Sequence, residues 1–567
     1  MRAALFAAVC VILVACDRAP EDAEPAQPAP TGDAAGSSGE QAVAAAVQPL
    51  FQGLGSLHFP ITTTSEDAQR YFDQGLMLSF AFNHAAADLA FTEAQKRDPA
   101  CALCWWGSAL VLGPNINASM EATAVDRAWE LSQKAAGLAA QADPKESMLA
   151  AALAQRYAAQ PPADRAPLDA AYAQAMRDIA AAYPQDATIA ALTAEALMDV
   201  HPWDFWLASG EARPWTQEIL TLLEGALQRE PGHVGAMHLY IHAVEASQQA
   251  ERAESYADRI AALAPEAGHL VHMPAHIYIR IGRYHDGTLA NLKAAEADTR
   301  FLAVCHSNGL VYRLGYVPHN YHFGWITAAL EGWSAKAIEL AQTTAERIPL
   351  EMMREPGLET LQQYYVTPLF AGVRFQRWED VLAFPAPEED VIYARAMWHY
   401  ARGRAQIAAG VLDEAQRELD ELKTRFADPR LPKMTIWNIN NGRDVVAVAV
   451  EVLSGELAAA RGDAAQGIEH LRKAVALEDA LRYNEPPDWF YPVRQSLGAM
   501  LLASGDAAGA QQAFEQDLRI YRENGWSLYG LSLALRAQGD AAAAQAVEER
   551  FRKAWTHADF ELKQSLL

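Results

Sequence analysis

The sequence predicts an all-α fold, a superhelical solenoid of antiparallel helix pairs. Alanine-rich amphipathic segments, separated by short breaks at Gly, Asp or Pro, run from about residue 66 onward. The alternation of apolar and polar residues that is typical of a half-buried strand is not convincing anywhere in them. At 567 residues, the chain is also longer than a single hydrophobic core usually extends. A repeat array accounts for all three observations, because each repeat contacts only its neighbours.

A 34-residue frame identifies the kind of helix pair. In this frame, small residues occupy positions 8, 20 and 27, an aromatic or apolar residue position 24, and a proline position 32. Positions 4, 8, 20, 24, 27 and 32 of one repeat are taken by Tyr71, Gly75, Ala87, Phe91, Ala94 and Pro99. Similar small and apolar residues recur from Ala253, Gly403, Gly455 and Gly498. The frame predicts tetratricopeptide repeats (TPRs), whose first helices line a concave groove.

The first 16 residues have the pattern of a lipoprotein signal peptide. An early Arg precedes an apolar run from Ala3 to Ala15, which is too short to span a bilayer. The run LVAC that ends at Cys16 resembles the lipobox of bacterial lipoproteins, in which the cysteine becomes the lipid-modified first residue. An ordinary signal peptide with an incidental cysteine is the alternative. We expect an exported protein that Cys16 anchors to a bacterial membrane, facing the periplasm or the cell surface.

The rest of the chain divides into three predicted parts. Residues 17–48 are rich in Ala, Pro, Gly, Ser and acidic residues, which cannot bury enough apolar surface to fold, so they are predicted to be a disordered tether. Residues 49–350 are predicted to form an N-terminal TPR solenoid with a histidine-rich groove, and residues 351–567 the C-terminal repeats.

The net charge of −25 argues against a nucleic-acid partner, because no basic field is available to neutralise phosphate.

Ten of the sixteen histidines fall between residues 233 and 322. His238 and His242 are four residues apart, as are His272 and His276, so each pair would lie on one face of a helix. The two pairs are offset by 34 residues, one repeat length, which places histidine at the same groove positions of consecutive repeats. Neutral imidazole is a common ligand of zinc and copper. The predicted metal ligands are His238, His242, His272, His276 and His322.

The repeat frame places further polar side chains in the groove. Those predicted to contact a bound ligand are Glu195, Asp199, Glu245, His269 and His319. The three carboxylates among them are candidates for a general base, although the sequence assigns no catalytic residue. A second interpretation stays open, in which the groove histidines hydrogen-bond a peptide or a carboxylate ligand and no metal binds.

Cys101 and Cys104 straddle the predicted start of a helix. A redox-active pair is one interpretation, because a helix N-terminus lowers the pKa of a thiol. We favour a structural disulfide, because the compartment is oxidising and no βαβ pattern accompanies the motif.

Two other stretches, 113–117 and 201–206, interrupt the helical pattern. Such loops are candidates to close over a ligand, and packing at the N-terminal end of the array is the alternative.

Five segments, which together lie across nearly all of the mature chain, carry a family resemblance. They are FNHAAADLAFTEAQKRDPACALCWWGSALVLGPNIN, HLYIHAVEAS, GHLVHMPAHIYIRIGRY, EPPDWFYPVRQSLG and NGWSLYGL. With these segments the chain resembles a widespread group of exported bacterial TPR proteins of undefined activity. The resemblance implies the helical repeat fold and export, and it supplies no catalytic residues.

Two classes of function follow from the sequence. The first is a lipid-anchored TPR scaffold that binds a protein, peptide or small ligand in its groove and holds a metal, zinc or copper, in its N-terminal half. The second is a metal-dependent hydrolase or oxidoreductase built on the same scaffold. We expect the first class, because the sequence has no catalytic metal signature such as HExxH.

Overall fold

The computed structural model of the chain describes residues 48–140, 142–305 and 309–562. Within these residues the protein consists of α-helices joined by short turns, as the sequence predicts. The N-terminal helices are α1 (Glu66–Phe80), α2 (His84–Arg97), α3 (Ala102–Val111), α4 (Val125–Ala139), α5 (Pro144–Ala154), α6 (Ala166–Ala182), α7 (Ala187–Val200), α8 (Thr216–Arg229) and α9 (Val234–Glu245). The central helices are α10 (Glu254–Leu263), α11 (Gly268–His272), α12 (Pro274–Ile281), α13 (Tyr284–Val304), α14 (Val317–Leu330), α15 (Ser334–Glu346), α16 (Leu361–Tyr365), α17 (Thr367–Arg374) and α18 (Trp378–Ala383). The C-terminal helices are α19 (Ile392–Ala408), α20 (Leu412–Phe426), α21 (Gly442–Ala460), α22 (Ala464–Ala480), α23 (Val493–Ala503), α24 (Ala507–Ile520), α25 (Gly525–Ala537) and α26 (Ala541–Ala554).

Small residues at fixed repeat positions let neighbouring helices approach closely. The ring of Phe91 on α2 lies between Gly75 of α1 and Gly107 of α3, where an added Cβ would meet it at 2.6 and 2.4 Å. Phe514 on α24 is held in the same way between Gly498 of α23 and Gly530 of α25. The aromatic position of the repeat thus fills a groove that only glycine leaves open, which is why the pattern is visible in the sequence.

Consecutive helices pack on one another along the whole described chain, which is the arrangement of a TPR solenoid. The C-terminal helices also return to the middle of the chain. The indole Nε1 of Trp526 on α25 donates to the carbonyl of Ala329 at 2.8 Å. The hydroxyl of Tyr284 donates to the carbonyl of Arg522 at 2.7 Å. Residues more than 190 positions apart are therefore in direct contact.

Two details differ from the sequence expectation. Residues Thr435–Ile436 (β1) and Asn440–Asn441 (β2) pair as a short antiparallel hairpin where no strand is expected. A π-helical turn, Val311–Tyr316, leads into α14. Both are local interruptions of the array, and both reach the site described below. No helix in the described residues is long and apolar enough to cross a membrane.

Cys101 and Cys104 form a disulfide at the start of α3. Cys101 is the N-cap of this helix, and its sulfur accepts a hydrogen bond from the backbone N–H of Cys104 at 3.1 Å. Both cysteines are buried. The predicted signal peptide, Cys16 and nearly all of the predicted tether lie outside the described residues.

Candidate metal centre

The histidines that come together lie on four helices. They are His238 and His242 on α9, His269 and His272 on α11, His276 on α12 and His319 on α14. Between α11 and α12 the backbone stays helical at Met273, with φ −49° and ψ −34°. Pro274 only removes one backbone donor there. His272 and His276 therefore keep their four-residue spacing on one helical face.

The first group of imidazoles consists of His238, His242 and His269, whose ligand nitrogens lie within 4.8 Å of one another. Nε2 of His238 is 3.0 Å from Nε2 of His269. Nδ1 of His238 is 2.6 Å from the carbonyl of Phe80, so this nitrogen carries the proton and Nε2 keeps its lone pair. Nε2 of His242 and Nδ1 of His269 have no hydrogen-bond partner among the described residues.

The second group consists of His272, His276 and His319, again within 4.8 Å of one another. Nε2 of His272 lies 2.8 Å from Nε2 of His276. The ring of His319 is centred 4.7 Å from that of His272. Phe323 packs against the rings of His272 and His276 with centroid distances of 5.2 and 4.9 Å. The three imidazoles therefore stand against an apolar wall with their polar atoms turned toward one another.

The second ring nitrogens of His272 and His276 fix the positions of the protons. Nδ1 of His272 is 2.6 Å from Oδ1 of Asn291, whose amide nitrogen donates to the carbonyl of Gly287 at 2.8 Å. The amide orientation makes Oδ1 the acceptor, so His272 is protonated on Nδ1. Nδ1 of His276 donates to Oε2 of Glu245 at 2.5 Å. Both Nε2 atoms then carry lone pairs aimed at each other, a contact that needs a cation or an extra proton between them.

Glu245 connects the two groups. Its Oε1 accepts from Nδ1 of His242 at 2.6 Å, and its Oε2 accepts from Nδ1 of His276 at 2.5 Å. The hydroxyl of Tyr483 donates to Oε2 at 3.3 Å. Burial opposes ionisation of Glu245, but the two imidazoles outweigh it and hold its pKa below the ordinary value. The side chain is fully buried, so its negative charge must be balanced within the site, either by a protonated imidazole or by a bound cation.

Burial also sets the charge of the imidazoles. It is the largest cause that lowers the pKa well below 6.5, with neighbouring imidazoles adding to the effect, at His238, His269, His272 and His319. The pKa of His242 is lowered as well, mainly by burial, although its bond to Glu245 opposes the change. These side chains are therefore neutral at neutral pH, the form in which imidazole binds a metal.

Four of the five predicted metal ligands belong to these groups, but they do not meet at one point. His238 and His242 lie in the first group, and His272 and His276 in the second. His242 and His276 also form a third group with Glu245, whose carboxylate accepts a hydrogen bond from each of them. Helices of adjacent repeats pack about 8–10 Å apart, so two pairs in register need not converge on one ion. The fifth, His322, lies outside both groups, and its ring is centred 5.0 Å from that of Tyr364.

His269 and His319, which the sequence places among the ligand-contacting residues, complete the two triads instead. Glu245, from the same set, supports them from behind. Glu195 and Asp199 lie elsewhere, in a buried cluster on α7 where Asp199 accepts from the Arg156 guanidinium at 2.8 Å. Burial raises the pKa of both carboxyls.

A chamber of about 100 Å³ lies beside the two groups. It is lined by imidazoles of both, namely His242 and His269 from the first and His276 and His319 from the second. Aromatic walls are provided by Trp203, Tyr316, Tyr364 and Trp437, and polar groups by Asn117, Asn484 and Glu485. This volume has room for an anion or a molecule of a few heavy atoms, which would lie beside imidazoles of both groups.

The two stretches that interrupt the helical pattern meet at this chamber. Asn117, from the first stretch, accepts from the indole of Trp203 in the second at 3.1 Å. The amide of Asn117 also donates to the hydroxyl of Tyr316 at 2.8 Å. Trp203 stands edge-on to His242 with ring centres 5.1 Å apart. The loops are thus part of the chamber wall.

Sequence reasoning missed the part of the site that comes from distant elements. Tyr316 lies on the π-helical turn, Trp437 next to the short hairpin, and Tyr483 and Glu485 in the loop between α22 and α23. Tyr483 is 238 positions from the carboxylate it contacts. Only the departure of the EPPDWFYP segment from the helical pattern could have indicated this loop. No local spacing indicates which distant helix such a loop approaches.

No protein-family model and no curated protein matches the chain. Among solved structures, it is similar to a human IFIT1 dimer with m7Gppp-AAAA, at 11% identity and a TM-score of 0.32 over 87% of this chain and 91% of that one. It is also similar to the APC/C Cut9–Hcn1 hetero-tetramer, at 12% identity and a TM-score of 0.25 over 86% and 90%. Yeast Tom70 gives 14% identity and a TM-score of 0.25 over 86% and 91%. Likenesses at this level carry no argument about function.

Fold and site together define a class of protein. The chain is an all-α solenoid of TPR type, with two triads of histidines, all buried except the half-buried His319, that share one carboxylate beside an aromatic chamber.

Proposed function

We propose that the protein is an exported, lipid-anchored TPR scaffold that binds a transition metal, zinc or copper, through its buried histidines. A ligand in the adjoining chamber would bind to this metal. The proposal of export and of an anchor at Cys16 is supported by the sequence pattern alone. The proposal of a bound metal is supported by the geometry of the imidazoles.

One observation carries the metal proposal, the contact between His272 and His276. Both rings donate through Nδ1, to Asn291 and to Glu245, so two lone pairs face each other at 2.8 Å. Metal-bound imidazoles at 2.0–2.1 Å from a tetrahedral ion have their nitrogens about 3.3 Å apart, close to the spacing found here. Nδ1 donors to a carbonyl, an amide and a carboxylate are the supporting contacts that metal-bound histidines commonly make.

The neighbourhood of the histidines favours a small ligand over a long peptide. Tyr483 and Glu485, from the loop between α22 and α23, occupy the space in front of Glu245. The side chain of Glu485 is only 6% exposed. A peptide in an extended groove would have to displace these residues, whereas an anion or a molecule of a few atoms fits the chamber of about 100 Å³ as it stands.

Elemental analysis by mass spectrometry tests the metal proposal. The full chain, produced without an affinity tag, is compared with the His238→Ala/His272→Ala double variant and with His58→Ala, a histidine that is 60% exposed. We expect near-stoichiometric zinc or copper in the wild type and His58→Ala, and none in the double variant. A wild-type protein that stays free of metal after incubation with zinc and copper salts would contradict the proposal.

A metal-dependent enzyme is a second candidate, favoured by the exposure of four imidazoles to an aromatic chamber. Metal bound by three histidines keeps a position for water or substrate and supports hydrolysis or redox chemistry. The test is oxygen consumption with catechol by the copper-loaded protein, and hydrolysis of p-nitrophenyl acetate by the zinc-loaded protein. Rates no higher than those of the free ions, or rates retained in the double variant, would argue against catalysis.

A further inference from the structure

The ligand nitrogens of the histidine cluster form two sets. Each set contains three histidines whose nitrogens lie within 4.8 Å of one another, and no set within that limit contains all four of His238, His242, His272 and His276 in the described residues. A third group, His242, Glu245 and His276, also lies within that limit, but its carboxylate already accepts hydrogen bonds from Nδ1 of both imidazoles. A single ion with bonds of about 2.0–2.1 Å cannot be bound by both sets at once, because its ligands must lie within about 4 Å of one another. The geometry therefore provides two separate positions at which three imidazoles could bind an ion.

Each set contains imidazole nitrogens that the described residues leave unsatisfied. In the second set, Nε2 of His272 and Nε2 of His276 face each other at 2.8 Å with both protons on Nδ1. In the first set, Nε2 of His238 and Nε2 of His269 are 3.0 Å apart. If His269 donates to His238 there, its own Nδ1 remains without a partner among the described residues. An ion in one set leaves the unsatisfied nitrogens of the other set without a partner among the described residues.

Glu245 accepts one hydrogen bond from a histidine of each set. Oε1 orients His242 of the first set, and Oε2 orients His276 of the second, at 2.6 and 2.5 Å. One carboxylate that fixes a ligand of each of two neighbouring cations also offsets part of their mutual repulsion. The chamber touches two imidazoles of each set, so open positions on two ions would face the same volume.

We propose that the site takes two transition-metal ions, one in the triad His238, His242 and His269 and one in the triad His272, His276 and His319, both open to the shared chamber. The inference deepens the proposed function and depends on it. Three histidines per ion leave at least one position on each for an exogenous ligand. The ligand class that fits is a small molecule or anion that bridges two adjacent cations.

The test is copper titration of the full chain, with bound metal determined by mass spectrometry. Each triad is disabled separately, by His269→Ala in the first and His319→Ala in the second, because these residues hold no bond to Glu245 in the structure. His58→Ala is the matched control. We expect two copper ions per chain in the wild type and the control, one in each single variant and none in the combined variant.

Electron paramagnetic resonance separates the outcomes further. Two neighbouring Cu²⁺ ions give a spectrum broadened or diminished by their interaction, and each single variant gives the full signal of one isolated ion. One copper per wild-type chain, lost in either single variant, would overturn the inference while leaving the metal proposal intact. No copper in the wild type would overturn both. If the variants do not fold, anomalous scattering from zinc-loaded crystals of the wild type tests the inference. We expect two separate anomalous-difference peaks for zinc, and a single peak would refute the inference.

Discussion

Replacement of Glu245 by glutamine tests how the site depends on its buried carboxylate. The carboxylate accepts two hydrogen bonds from imidazole Nδ1 atoms, at 2.6 Å from His242 and 2.5 Å from His276. A glutamine amide has one oxygen and can accept from only one of them, while its NH₂ group faces the other. The ring facing NH₂ must move its proton to Nε2, which removes a lone pair from the metal side.

The expected loss of metal affinity in Glu245→Gln can be estimated from these contacts. Loss of a hydrogen-bond acceptor behind a metal-bound histidine typically lowers metal affinity about 10- to 100-fold, which is about 1.4 to 2.8 kcal/mol. The lost negative charge acts in the same direction, because Glu245 is fully buried and is the carboxylate nearest both triads. We expect Glu245→Gln to bind zinc at least about 10-fold more weakly than the wild type.

The assay is competition for zinc with a chromophoric chelator, together with thermal unfolding with and without zinc. Glu485→Gln is the matched control, because this carboxyl also lines the chamber and receives the same chemical change. We expect the control to keep the wild-type affinity. The reasoning is refuted if Glu245→Gln binds zinc as tightly as the wild type, or if Glu485→Gln weakens binding equally.

Four further predictions concern stability. Burial raises the pKa of Asp298 to about 7, above 3.8, although Tyr312 and Asn320 donate to it, so the folded chain binds this proton more tightly than the unfolded chain. The resulting stability is complete below pH 3.8 and is lost as pH rises through about 7. Between pH 5 and 8 the wild type should therefore lose roughly 2 to 3 kcal/mol relative to Asp298→Asn in urea unfolding, and parallel pH profiles would contradict this. Gly75→Ala, whose Cβ would lie 2.6 Å from the Phe91 ring, should cost about 1 to 3 kcal/mol in the same measurement. Gly137→Ala, with nothing within 4 Å, should stabilise α4 by about 0.5 to 1 kcal/mol, and equal effects at the two glycines would exclude the packing argument. Reduction of the Cys101–Cys104 disulfide, which closes a loop with a sequence separation of 3, should cost only about 2 kcal/mol, and unfolding of the whole chain on reduction would show that its role is larger.

The sequence alone determined the helical class and the repeat. Both follow from local physics, since helical periodicity and a small residue opposite each packing aromatic must appear in the sequence itself. Gly75, Phe91 and Gly107 show the connection, because the positions read from the frame are those that interlock in the structure. The pairs His238/His242 and His272/His276 were also visible, because a spacing of four residues on a helix fixes proximity.

Only the tertiary structure decided how these pairs are used. The sequence could not show that the pairs separate into two triads, that His269 and His319 complete them, or that His322 faces Tyr364 instead. It also gave no indication that Tyr483 returns from 238 positions away to contact Glu245. Helix periodicity specifies the face on which a side chain lies, but the distance between two faces depends on how the helices pack. That packing is set by the whole array, and it determines which nitrogens share a metal.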